Sequence, residues 1–222
     1  MNEIIESIGL CIEKGKVNKA SSYPIDMQGK DGADEITKSA LIQNIGPDEI
    51  LKTCNDAIQR IGEKFGRNEV FVPELLMAAK AMTTVMEHLK PFFQAGSIKT
   101  KGKFIIGTVA GDLHNIGKNL VSMVVEGNGW EVIDLGVDVK KEKFIKAIEE
   151  NPNSFVGLSA LLTTTMENMA NTVKEIKAEY PSITVIVGGA PLSAESAKKM
   201  GADAYAANPQ EAVLFLNEKI AS

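Results

Sequence analysis

The sequence predicts an α/β chain: an N-terminal four-helix bundle followed by a flavodoxin- or Rossmann-like sheet of five parallel strands. Three observations lead there. Apolar residues recur at helical spacing as far as Pro91; a small, polar and basic stretch, "QAGSIKTKG", follows; and beyond it short apolar runs alternate five times with helical segments. The boundaries fall at 1–93 for the helical part, 94–102 for the linker and 103–222 for the sheet part.

In the first part, "PDEILKTCNDAIQRIGEKF" sets Ile50, Leu51, Cys54, Ile58, Ile61 and Phe65 three or four apart, the period of one helix face. "PELLMAAKAMTTVMEHLK" repeats the pattern with Leu75, Leu76, Ala79, Met82, Met86 and Leu89. Pro47 and Pro73 stand where helices begin and Pro91 where one ends. A first helix is expected near 2–14 and another between 34 and 44, with the polar loop "SSYPIDMQGKDG" between them.

In the second part, "KFIIGTV", "EVIDLG", "SFVGLSA", "TVIVGG" and "ADAYAA" are nearly all apolar, as strands covered on both faces are. Helices are expected over 116–126, 141–149, 166–179, 194–200 and 210–220. Alternation of this kind demands parallel strands joined by right-handed crossovers. Strand order 2-1-3-4-5 is expected, with ligands bound at the carboxyl ends of the strands.

Composition narrows the function. A net charge of −5 argues against a nucleic-acid binder. The two cysteines, Cys11 and Cys54, have no metal or disulfide spacing and read as inert thiols in helices. The N-terminus lacks the basic and apolar regions of a signal peptide, and no run suits a membrane span, so a cytoplasmic setting is expected.

The loop after the first strand, "GDLHNIG", carries an acid and an imidazole two residues apart. Its glycine spacing does not suit a dinucleotide turn, and it lacks a P-loop lysine. His114 can be a base, a switch, a metal ligand or a solvated loop residue. If it ligates, Asp112 is close enough to fix its tautomer from the second nitrogen. One imidazole holds a bare ion poorly, whereas a macrocycle leaves only axial positions to the protein. After the third strand, "GLSALLTTT" offers hydroxyls for a polar ligand, or for capping the next helix. After the fourth, Gly188 and Gly189 leave either a bare surface for something flat or a tight turn. The acid cluster of a response-regulator receiver is missing, as are the flanking aromatics of a flavodoxin.

"GDLHNIG", "GLSALLTTT" and "VGGA", in that order behind "GEKFGRNEVFVPELLMAAKAM", resemble the cobalamin-binding module of methionine synthase and of the corrinoid proteins of anaerobic methyltransferase systems. The resemblance covers nearly the whole chain. It implies cobalamin, passing between methylcobalamin and cob(I)alamin, bound base-off with His114 as the lower cobalt ligand. Asp112 would hold the far nitrogen of His114, and Thr165 would stand at the family's relay hydroxyl, often a serine. Gly111, Leu113, Asn115, Ile116 and Gly117 would line the loop. Ser159, Leu161 and Thr163 would meet the cofactor's nucleotide tail, with Gly188 and Gly189 making room for its base. The helical part would be a cap over the upper face, to which Phe71, Leu75, Leu76 and Met82 are candidates, with core packing as the alternative for each. A hinge is expected around 96–102. His88 reads as a solvated helix-end residue, with an approach to the corrin as the alternative.

By this resemblance the chain carries a methyl group from a substrate-specific methyltransferase to a second one with a folate or thiol acceptor, kept active by a reductive activator protein. Neither nucleic acid nor membrane is a partner. A cobalamin-dependent sensor would carry a basic DNA-binding face, and an adenosylcobalamin mutase subunit would not need the cap.

Overall fold

The computed structural model describes residues 3–94 and 100–221, so the 95–99 part of the linker, and most of the expected hinge, lies outside the described residues. Two compact units emerge: Met1–Thr100 with Glu126–Gly129, and Lys101–Val125 with Trp130–Ser222.

The first unit is built from α1 (Glu3–Lys14), α2 (Ala33–Ile42), α3 (Pro47–Gly66) and α4 (Val72–Gln94). α3 packs against α1 and α4. Of the stripe read from its sequence, Ile50, Cys54, Ile58 and Ile61 are buried, together with Ala57, while Leu51 and Phe65 are half-buried. Proline at its first position lacks only an N–H that would have had no intrahelical partner. Ahead of α2, the Glu35 carboxylate accepts the Gly32 N–H at 2.9 Å and the Lys19 N–H at 3.0 Å, satisfying donors at the helix start. A 3₁₀ turn, Ile25–Met27, interrupts the expected polar loop.

Two expectations in this unit are corrected. Pro91 does not end its helix, because α4 runs on to Gln94. A proline this close to the helix end removes a single bond, to the carbonyl four residues earlier, and the last turn tolerates that. Nor is His88 solvated or at a helix end: it is largely buried, and its Nε2 lies 2.7 Å from Asp34 Oδ1 on α2. The hydrogen bond to His88 holds the Asp34 carboxyl below the usual carboxylate range. Cys11 and Cys54 are buried thiols; burial pushes Cys11 up to about 11 and Cys54 higher still.

The second unit alternates β1 (Lys103–Thr108), α5 (Ile116–Gly127), β2 (Glu131–Asp134), α6 (Lys141–Glu150), β3 (Phe155–Ser159), α7 (Met166–Glu179), β4 (Val185–Gly188), α8 (Ala194–Met200), β5 (Ala204–Ala206) and α9 (Pro209–Ala221). The sheet is wholly parallel in the order β2-β1-β3-β4-β5. Ile105, Val156, Leu158, Val185 and Val187 meet Phe144, Ile148, Met169, Val173 and Ile176 in one core. Trp130 is buried before β2, edge-on to Phe155 with ring centroids 5.3 Å apart. Register aligns Thr108 with Ser159, Ser159 with Gly188 and Gly188 with Ala206, which lines up the carboxyl ends of four strands.

Candidate functional site

At that edge the loop between β1 and α5 turns back on itself around one carboxylate. Asp112 is fully buried and its two oxygens receive five donors. Oδ1 accepts the backbone N–H of His114 at 3.0 Å and the His114 Nδ1 at 2.8 Å. Oδ2 accepts the N–H groups of Leu161 at 2.7 Å and Leu162 at 3.2 Å, and the Thr165 hydroxyl at 3.1 Å. Burial pushes the Asp112 carboxyl up, but the hydrogen bonds from Leu161 and His114, backbone and ring, and from Leu162 outweigh it. The group is held well below the ordinary carboxylate range and stays an anion.

An anion only accepts, so the proton of the His114–Asp112 bond sits on Nδ1 and the lone pair of a neutral ring is on Nε2. The imidazole is half exposed, its side chain 51% accessible. Its backbone is fixed as well: the buried Thr108 donates its hydroxyl to the His114 carbonyl at 2.9 Å. Ring, peptide N–H and carbonyl of one residue are therefore all held from within the edge.

Thr165 does not cap α7 as the simplest reading of the threonine run would have it. It closes a 3₁₀ turn, Thr163–Thr165, just before α7, and its hydroxyl makes no capping bond. The Thr165 Oγ1 instead lies within reach of two acceptors, Asp112 Oδ2 at 3.1 Å and the Leu162 carbonyl at 2.9 Å. It has one proton to give, so the two compete.

Around this charge the surface is apolar. Leu113 is 71% and Ile116 67% exposed, and Leu161 and Leu162 are exposed in part. Asn115 is exposed, its carbonyl taken by the Asn119 N–H in the first turn of α5. Gly117 has neither a left-handed backbone nor any atom within 4 Å of where a Cβ would stand. Gly189 differs: at φ +133° its Cβ would fall 1.8 Å from the Ala160 carbonyl oxygen, so the turn itself requires glycine. Gly188 would bring a Cβ to 3.0 Å from the Ala206 oxygen. Ser159 is half-buried beside Gly188, and Thr163 is exposed.

The edge thus brings together Gly111, Asp112, Leu113, His114, Leu161 and Thr165. In the helical unit Phe71 is exposed, its N–H bonded to Glu74 Oε2 at 2.8 Å where α4 starts. Leu75 and Met82 are fully buried, so packing, and not an open ligand face, accounts for both. Three participants escaped the sequence reading. Thr108 and Leu162 act through a strand-end hydroxyl and a peptide N–H, which leave no signature. Asp138, in "DLGVDV", carried a usable signal, since it follows a strand at the ligand-binding edge.

The parallel sheet presents at its carboxyl edge one exposed imidazole, tied through Nδ1 to a buried anion, and comparison with known proteins places the chain in a B12-binding class. A family model described as "B12 binding domain" matches residues 102–214, and a second with that description matches 29–90. The chain belongs to the corrinoid protein family. It is 40% identical over 177 residues to dimethylamine corrinoid protein 3 of Methanosarcina acetivorans, spanning 78% of this chain and 83% of that one. To the trimethylamine corrinoid protein of Methanosarcina barkeri it is 36% identical over 186 residues, 82% and 86% of the two chains. A cobalamin-binding protein of Desulfitobacterium hafniense DCB-2 superposes with a TM-score of 0.74 at 27% identity, covering 96% of this chain and 97% of that one.

The residues fit a corrinoid. No cluster of three or more acidic, histidine or cysteine side chains exists among the described residues to hold a bare ion. A corrinoid carries its cobalt in its own macrocycle, so a single protein nitrogen, Nε2 of His114, would suffice to hold it. The aliphatic rim and the bare Gly117 suit a large, flat, mostly apolar ring. Among the described residues, no helix is long and apolar enough to cross a membrane.

Proposed function

We propose that this chain is a methyl carrier with His114 as the lower axial ligand of a base-off corrinoid, loaded by a methylamine-specific methyltransferase and unloaded by a second methyltransferase with a folate or thiol acceptor. When bound, the corrinoid supplies a cobalt centre that can take up and release a methyl group. The observation that carries the reading is the 2.8 Å bond from His114 Nδ1 to the buried Asp112 anion.

That bond keeps the lone pair on Nε2, strengthens the imidazole as a donor and fixes the plane of its ring. Thr165 adds a donor to Asp112 and can turn to the Leu162 carbonyl when that oxygen needs fewer protons around it. Leu113, Ile116, Leu161 and Leu162 give the ring an apolar seat, and Gly117 a surface without a side chain. Ser159, Thr163, Gly188 and Gly189 would receive the nucleotide tail. The same reading makes residues 1–93 a cap that keeps water from the reacting face. The names of the two Methanosarcina relatives favour a methylamine as donor.

The test is reconstitution of the purified chain with methylcobalamin, followed by methyl transfer assays. The expected result is an imidazole-bound, base-off absorption spectrum and demethylation of dimethylamine or trimethylamine when the matching methyltransferase is added. A bound corrinoid that keeps its own base on cobalt sinks the ligand assignment. A correctly bound one that no methylamine and transferase pair can methylate sinks the carrier assignment.

A further inference from the structure

The loop that bears Asp112 and His114 is gripped by the next loop along the edge. Asp138, in the connection between β2 and α6, accepts the Gly111 N–H on its Oδ1 at 2.7 Å. Its own N–H donates to the Asp112 carbonyl at 3.0 Å. Two bonds running in opposite directions thus join one residue to two consecutive residues of the histidine loop. Neighbouring tethers hold the flanks: Asn168 Nδ2 donates to the Ala110 carbonyl at 2.8 Å, and Val139 pairs with Val109.

Asp138 sits at φ 52°, in the left-handed region. Glycine would adopt that backbone without strain, whereas an aspartate needs its surroundings to hold it there. Asp and Asn are among the side chains that tolerate it best. What aspartate brings over glycine at this position is the carboxylate, and that carboxylate is spent on Gly111. We propose that Asp138 is a positioning residue: by clamping Gly111 and Asp112 it sets the height and tilt at which His114 meets the corrinoid. The inference rests on the lower-ligand reading above.

The coupling is direct. Asp112 Oδ1 binds both the backbone N–H and the ring Nδ1 of His114, so the imidazole follows any shift of Asp112. A clamp on the Asp112 backbone is therefore a clamp on the ring, although Asp138 is itself exposed. A donor–metal bond is sensitive to tenths of an ångström, so a loosened loop weakens ligation before it affects folding.

Two variants of the full chain separate this from a merely structural role. Asp138→Gly keeps the left-handed backbone free of strain and removes the acceptor, while adding backbone freedom that the thermal midpoint reads separately. Asp138→Asn keeps an acceptor oxygen and a tolerance for positive φ. Each is reconstituted with methylcobalamin, and the ratio of imidazole-bound to unbound cofactor is read from the absorption spectrum at one pH, beside the thermal midpoint of the apoprotein. Asp138→Gly is expected to lower that ratio by about five- to tenfold, the effect of one hydrogen bond at an exposed site, while still unfolding cooperatively. Asp138→Asn is expected to stay near wild type. A wild-type ratio in Asp138→Gly overturns the proposal, as does a loss in Asp138→Asn equal to that in the glycine variant. Wild-type protein with no imidazole-bound cofactor brings down the lower-ligand reading and this inference together.

Discussion

His114 places its ring nitrogen Nδ1 2.8 Å and its backbone nitrogen 3.0 Å from the same oxygen of Asp112. One carboxylate oxygen thereby fixes a side chain and the peptide that carries it. Replacing His114 with Gly removes the ring and leaves the other four donors to Asp112 in place. The variant is expected to fold and to bind cobalamin without a histidine ligand. Absorption spectroscopy checks this: an imidazole-bound spectrum in the variant would contradict the assignment.

Asp112→Ala removes the shared acceptor of five donors, of which the Thr165 hydroxyl can turn to the Leu162 carbonyl and the His114 ring to water. It is expected to cost about 3 kcal/mol of folding stability through the three peptide N–H groups left behind. Chemical denaturation of the apoprotein reads it. A variant as stable as wild type would mean that water replaces the carboxylate at no penalty.

The depressed acidity of Asp112 makes a pH prediction. Between its folded value and the ordinary unfolded value near ~4, the unfolded chain binds the extra proton, so stability rises with pH across that window and is lost as pH falls. Asp34, held low by His88, acts in the same direction. The thermal midpoint of wild type should fall more steeply than that of Asp112→Asn between about pH 5 and about pH 2. Parallel curves would show that Asp112 is not the linked group.

Thr165 lends itself to a graded comparison. Thr165→Ser keeps the hydroxyl that Asp112 and the Leu162 carbonyl share, whereas Thr165→Val keeps the shape and loses the donor. Valine is expected to lower stability by about 1 kcal/mol and to reduce the imidazole-bound fraction, with serine near wild type in both. Urea titrations and reconstituted spectra measure the two effects.

The glycines should divide. Gly189→Ala drives a Cβ into the Ala160 carbonyl on a left-handed backbone and is expected to abolish stable folding. Gly117→Ala meets no atom of the chain, so it should leave the apoprotein as stable as before and weaken corrinoid binding. Thermal melts and cofactor titration distinguish them. Unimpaired binding in Gly117→Ala would remove Gly117 from the cofactor surface.

The legibility of the molecule follows from the range of the interactions. Helix limits are readable because they depend on local periodicity, and 166–179 and 194–200 match to the residue, whereas the strand order follows from the doubly wound fold that the alternation implies. Pro91 does not stop α4, because a local helix breaker is weak within the last turn. Asp112 and His114 could be named as a pair because they are two residues apart in sequence. The peptide donors of 161 and 162 could not, since about fifty residues separate them from Asp112 and an N–H group leaves no signature, and Thr165 is reached only through the family resemblance. His88 likewise found its partner 54 residues away.

Leu113, Ile116, Leu161 and Leu162 leave a greasy patch beside a buried charge. On the proposed reading, a chain that emerges without its macrocycle is adhesive at the spot that would hold it. Preparations poor in cofactor should self-associate, and adding the corrinoid during refolding should serve as a folding aid as well as a prosthetic group.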